Sequence, residues 1–156
     1  LVNYDGFAWY RAQVRIPANW KNQKVELFVQ GVDNACEVYL DGFKIGAIGS
    51  LPPNYANGVD EIQRFVIPED RKRPGDLHWF AFRIYDEGGR GGFKAAPPLL
   101  TTGKEAVPLR GGWEFRAGDD LAWAKPDKTA LPEGRPFEDH IKAESIVRWM
   151  TTHLSA

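Results

Sequence analysis

Apolar and polar residues alternate with a period of two through most of the first two thirds of the chain, the spacing of strands with one buried face. In FAWYRAQVRIP, Ala8, Tyr10, Ala12, Val14 and Ile16 fall on one face and Arg11, Gln13 and Arg15 on the other, and Pro17 closes the strand. KVELFVQG repeats the pattern with Val25, Leu27 and Val29 inward. ACEVYLDGFKIGAI predicts a hairpin, with Cys36, Val38 and Leu40 facing Phe43 and Ile45 across Asp41-Gly42. Asp-Gly between alternating runs is a strong hairpin signal, because glycine accepts the positive φ that the turn demands. IQRFVIP is a shorter strand closed by Pro68. LHWFAFRIYD is the longest apolar run. Its residues Trp79, Phe80, Phe82, Ile84 and Tyr85 occupy both faces, which predicts a central strand covered on both sides.

Shorter strands follow at PPLLT, AVPLR and WEFRAGD. Seven or eight short strands separated by Pro, Gly, Asn and Asp turns predict an all-β antiparallel sandwich. Residues 50 to 61 and 68 to 76 are longer connections. After Asp120 the pattern changes: LAWAKPDKTALPEGRPFEDH contains three prolines and no periodicity, so it reads as a wrapping segment. IKAESIVRWMTTHLSA then places Ile146, Val147, Met150 and Leu154 on one helical face, which predicts one short helix. The expected organisation is a sandwich over residues 1–118 and a C-terminal extension over 119–156. That extension should dock on the sandwich through Trp123, Trp149 and Met150.

A length of 156 residues suits one domain with an appendage, and a hydrophobic fraction of 43% is that of a globular chain. The formal net charge of −1 offers no electrostatic footprint for nucleic acid or an acidic membrane. No apolar run is long enough to span a bilayer, so membrane insertion is not expected. Cys36 is the only cysteine, which excludes an intramolecular disulfide and a thiolate zinc site. Aromatics, at 13% with six Trp, are in excess. They serve either a sandwich core or the stacking of sugar rings.

Residues that carry chemistry are sparse. Gly88, Gly89, Gly91 and Gly92 follow the longest strand, but they run into FKAAPPLL, where Pro97-Pro98 preclude a helix start. A phosphate-cradling loop needs that helix, so a nucleotide site is excluded. His78, His140 and His153 have no metal-binding spacing, and Ser50, Ser145 and Ser155 lie in no nucleophile elbow. Asp60/Glu61 and Asp86/Glu87 are adjacent pairs, and neighbouring strand residues point to opposite faces. Neither pair is a ready acid and nucleophile for glycoside cleavage. No catalytic residue, metal or cofactor is expected.

The order of motifs DGFAWYRAQVRIP, VELFVQGVDNACEVYLDGFKIG, RFVIP, FRIYDEGGRGG and PLRGGWEFRAGD resembles the sugar-binding, galactose-binding-like jelly-roll domain of glycoside hydrolase family 2. It is most similar to the version inserted in bacterial sialate O-acetylesterase-like proteins. Trp9, Tyr10 and Arg11 match the first motif; Gly31, Asp33, Ala35, Val38, Asp41, Gly42 and Gly46 match the second; Gly88 to Gly92 and Gly112-Trp113 match the last two. Asp41 stands where the family usually has Asn, and both tolerate positive φ.

The resemblance implies an accessory module that packs on a catalytic domain, shapes its cleft or holds carbohydrate. Any hydrolase activity would belong to the parent protein. It implies an extracytoplasmic location and partners that are an oligo- or polysaccharide, a neighbouring domain, or both. The module alone is expected to be a monomer. Rim loops are where a sandwich binds ligands. Candidate contacts are therefore Asn54, Tyr55, Asp60 and Arg64 in and after the 50–61 loop, and Glu87 and Arg90 in the glycine-rich loop. Tyr55 has no apolar partner at strand or helical spacing, so it either stacks on a sugar or packs under its own loop. The alternatives are an interdomain wedge without a pocket, or a fragment that lends one residue to a neighbouring domain's active site.

Overall fold

The computed structural model describes residues 4–109 and 112–125. Among them are eleven strands: β1 (Gly6–Arg15), β2 (Glu26–Gln30), β3 (Val32–Asp33), β4 (Ala35–Leu40), β5 (Phe43–Ile48), β6 (Ile62–Val66), β7 (Leu77–Asp86), β8 (Gly92–Phe93), β9 (Leu99–Thr101), β10 (Ala106–Pro108) and β11 (Glu114–Ala117). One sheet has the order β11-β1-β7-β4-β5, a second the order β10-β9-β2-β6, and β3 and β8 form a two-stranded ribbon. All the strand pairs are antiparallel. The expected helix around Ile146, Val147, Met150 and Leu154, and the contacts expected of Trp149 and Met150, lie outside the described residues.

The period-two pattern accounts for the core. Ala8, Tyr10, Ala12 and Val14 of β1, Val38 and Leu40 of β4, and Phe80, Phe82 and Ile84 of β7 face Leu27 and Val29 of β2, Phe65 of β6 and Leu100 of β9. β7 pairs with β1 along ten residues and with β4 along six, so it is the central strand its two apolar faces predict. The hairpin turns at Asp41-Gly42, with φ of 47° and 88°; two consecutive positive values define the type I′ turn that matches strand twist. Phe93 of the ribbon closes one end of the core, its ring 5.1 Å from Phe82 and 5.6 Å from Trp113.

The other face of the larger sheet is also covered. Residues Leu121–Ala124 form a 3₁₀ turn, capped by the Asp120 carboxylate on the Ala122 N–H. The turn lays Trp123 over Trp9 and Ala81. The Arg11 guanidinium stacks 3.9 Å from the Trp123 ring and pairs with Glu114. Trp9 and Arg11 are consequently buried, although the alternation places them on the outward face. Next to them, Arg83 reaches Glu37 at 3.0 Å and Asp119 at 2.6 Å. Asp119 and Asp120 thus tie the start of the C-terminal extension to the sandwich.

Candidate functional site

One end of the sandwich gathers polar and aromatic side chains from four parts of the chain. β7 ends at Asp86, after which Glu87 to Gly91 form the glycine-rich loop. β3 ends at Asp33, followed by Asn34. The 50–61 loop brings Tyr55, and Lys94 follows β8. Hydrogen bonds lock these segments together: the Glu87 N–H donates to Asn34 Oδ1 at 2.9 Å, and the Gly58 N–H donates to the Asn34 carbonyl at 2.8 Å. Asn34 therefore clamps the glycine-rich loop to the 50–61 loop.

Tyr55 is half-buried at this rim. Its ring meets Tyr85 edge-on with centroids 5.4 Å apart, and its hydroxyl donates to Glu87 Oε2 at 3.1 Å. Burial and then the Glu87 acceptor push the Tyr55 hydroxyl above its ordinary pKa. The result is an aromatic step beside an exposed carboxylate. Such a step offers a flat apolar face next to hydrogen-bonding groups at small entropic cost.

The same rim holds two buried carboxylates. Asp33 is 2% exposed and pairs through Oδ2 with Lys94 Nζ at 2.7 Å. Asp86 is 4% exposed and accepts the Gly88 N–H at 2.9 Å through Oδ1. Asp33 Oδ1 and Asp86 Oδ2 have no hydrogen-bond partner among the described residues. Burial, then the charges of Asp33 and Asp5, hold the Asp86 carboxyl above its ordinary range, against the opposing pull of the Gly88 N–H and Lys94. Burial, with Asp86 nearby, likewise pushes the Tyr10 hydroxyl up to about 12.

The glycines now have physical roles. A Cβ at Gly91 would stand 3.0 Å from Asp86 Cγ and closer still to Oδ2, so only glycine lets the backbone lie over that carboxylate. Gly92 has a φ of 94° and starts the ribbon strand against Tyr10. The loop is more than a corner: it covers a buried acid and then pairs with β3.

The six residues expected at the rim do not all meet. Tyr55 and Glu87 are brought together. Asn54 is exposed next to Tyr55, and its carbonyl accepts from Ser50 Oγ. Asp60 is exposed at the far end of the same loop, and Arg90 is exposed in the glycine-rich loop. Arg64 sits in the middle of β6 on the outer face of the smaller sheet, 4.0 Å from Glu26 and with its guanidinium 5.5 Å from the Phe28 ring. Asp33, Asn34, Tyr85, Asp86 and Lys94 belong to the rim and are not among the candidate contacts; Asp86 is weighed in the sequence only beside Glu87, as an acid pair. Asp33 could have been found, since it occupies a matched position of the hairpin motif.

At the opposite end of β7, His78 is fully buried, with Nδ1 2.7 Å from Asp41 Oδ2 and Nε2 3.2 Å from the Arg73 carbonyl. Both ring nitrogens are engaged, as a structural histidine requires. Burial pushes the Cys36 thiol well up, so it stays protonated and unreactive. Among the described residues no group of three His, Cys, Asp or Glu is placed to hold a metal ion. None of their helices is long and apolar enough to cross a membrane.

Architecturally the described residues define an antiparallel β-sandwich with a loop-built rim. Among solved structures, the chain is similar to part of the β-glucuronidase from Ruminococcus gnavus. The crystal structure of that enzyme and its complex with D-glucuronic acid each align at a TM-score of 0.45 and 23% identity, over 54% of this chain and 13% of the enzyme. Another structure of the same enzyme aligns at 0.46 and 23% identity, over 54% of this chain and 12% of that one. The chain thus spans about an eighth of the enzyme's length. No protein-family model matches the chain, and no curated protein does.

Proposed function

We propose that this chain is a non-catalytic carbohydrate-binding or accessory module of a larger extracytoplasmic protein of the glycoside hydrolase or carbohydrate esterase type. The observation that carries the proposal is the Tyr55–Tyr85 aromatic step with the Glu87 carboxylate beside it, on a rim held rigid by Asn34. An aromatic face flanked by hydrogen-bonding groups is the chemistry a pyranose ring requires. The motif order that resembles the family 2 sugar-binding domain, and the sialate O-acetylesterase-like variant of it, supports the same role. Hydrolysis, where the parent protein performs it, belongs to another domain. Affinity electrophoresis of the 156-residue chain against a panel of plant and algal polysaccharides tests the role. Retarded migration in at least one gel is expected, and unretarded migration in all of them would refute it.

One observation favours a second role, that of an interdomain wedge. Ile62 and Val66 of β6 are 53% and 50% exposed on either side of Arg64 on the outer face of an edge strand, apolar surface that another domain would cover.

A further inference from the structure

Charge at the rim is unbalanced, with two of its four acids buried and two exposed. Asp33 and Asp86 are buried, Asp5 and Glu87 are exposed around them, and Lys94 and Arg90 are the cations on the same loops. Lys94 is already engaged by one oxygen of Asp33. The second oxygen of Asp33 and one of Asp86 have no hydrogen-bond donor among the described residues. A carboxylate with one oxygen unpartnered in a poorly solvated position is screened less than one in water. The raised pKa of Asp86, caused after burial by Asp33 and Asp5, is the same field acting inside the protein.

Building on the carbohydrate role above, we propose that this rim selects neutral or amine-bearing sugars and excludes uronic and sulfated ones. A sugar meets such a surface through donors, which are hydroxyls or an ammonium group. A ligand carboxylate or sulfate set on the Tyr55–Tyr85 step would stand against the exposed Glu87, with Asp33 and Asp86 in the same rim. Like charges at close range disfavour such a pose. Arg64 faces away on the outer side of the smaller sheet and pairs with Glu26, which leaves Arg90 as the one candidate arginine on the rim loops, against Glu87, Asp5 and the buried acids.

The test is affinity electrophoresis of the 156-residue chain in gels containing a neutral galactan, chitosan or polygalacturonate. Retardation by galactan or chitosan is expected at a polymer concentration at least tenfold below that needed for polygalacturonate. Asp86→Asn should narrow this gap by removing one buried charge. Glu87→Gln, a change at an exposed position that does not threaten folding, should narrow it as well. Raising the salt should weaken the discrimination against polygalacturonate, since screening acts on the repulsion. Equal or tighter binding of polygalacturonate would overturn the proposed selectivity while leaving the carbohydrate role intact. Absence of binding to all three, and to the wider panel above, would overturn both.

Discussion

Gly46 in β5 lies against Phe65 of β6 in the facing sheet. Its backbone φ is not in the left-handed region, so an alanine there meets no conformational penalty. The obstacle is Phe65 across the core: a Cβ at Gly46 would lie inside 3.0 Å of Cδ1 and Cε1 and 3.4 Å from Cγ. Ordinary carbon contacts lie at about 3.5–4.0 Å, so the ring has to retreat by about 1 Å. Phe65 is part of the core and is registered with Leu27 of the neighbouring strand, so it has no free space to retreat into. Overpacking of this kind costs about 1–3 kcal/mol. The reduced freedom of the unfolded chain offsets about 0.4–1 kcal/mol of that. Gly46→Ala should therefore destabilise by about 1–2 kcal/mol net. At about 2–4 °C per kcal/mol for a chain of this size, Tm should fall by about 2–8 °C. Urea melts of the wild type, Gly46→Ala, Phe65→Leu and the double variant form a cycle. The double variant should be more stable than the sum of the single losses by about 1 kcal/mol, because the smaller Leu makes room for the methyl. Strict additivity, or an unchanged Tm for Gly46→Ala, would refute the steric explanation.

Three further outcomes follow from the geometry. Gly42→Val should cost more than about 1 kcal/mol in thermal melts, since its φ of 88° is hostile to a β-branched residue; an unchanged Tm would mean that the turn is not of the primed type. Trp123→Ala should cost about 3 kcal/mol, the low end for a buried aromatic, and uncover Trp9 and Arg11, which a rise in dye binding would report; unaltered stability would mean that the segment does not seal that face. Stability should fall in acid. For Asp41 burial alone would raise the pKa, but the bonds from His78, the Trp79 N–H and Arg73 outweigh it and hold the carboxyl below its ordinary 3.8. For Glu37 burial is likewise outweighed by Lys44, Tyr39 and Arg83, which hold it below 4.5. Groups depressed in the folded state contribute fully above those ordinary values, and the contribution is lost as pH falls through the folded pKa. Asp86, which is raised, acts in the opposite sense: it favours folding below 3.8 and loses that contribution as pH rises through its folded value. Asp41→Asn should flatten the decline of Tm between pH 5 and pH 3, and an unchanged slope would contradict the assignment.

The strands of the sandwich were legible because each is local and alternating. The Asp41-Gly42 turn and the two-faced run of β7 could be read from a few neighbouring residues. What was not legible depends on contacts distant in sequence. Trp9 and Arg11 occupy polar-face positions, and only the return of Trp123 from over a hundred residues away buries them. The ribbon of β3 and β8 has two residues per strand, too few for any periodicity, and arises because Gly91 and Gly92 bring the loop over Asp86 and Tyr10. Glu87 could be anticipated from its place after a strand, but its partnership with Tyr55 spans 32 residues. Arg64 shows the opposite case. It is close in sequence to the Tyr55 loop, yet the strand it occupies points it to the outer face of the other sheet, next to Glu26. Asp33 and Asp86 read as ordinary acids at strand ends, since burial of a carboxylate is a property of the packed rim alone.

The central claim is that the Tyr55 step contacts a sugar rather than only bracing its loop. The direct measurement is isothermal titration of a polysaccharide retained in the electrophoresis panel, with wild type, Tyr55→Ala and Tyr55→Phe, alongside their melting temperatures. Tyr55→Ala should weaken binding by about 1–3 kcal/mol, the range for losing a large contact side chain. Its stability should fall by only about 1 kcal/mol, the worth of an aromatic pair such as Tyr55–Tyr85. Tyr55→Phe should keep most of the binding, because the stacking face remains. A large loss of stability in Tyr55→Ala with undiminished affinity would contradict the claim and assign Tyr55 to the scaffold of the rim.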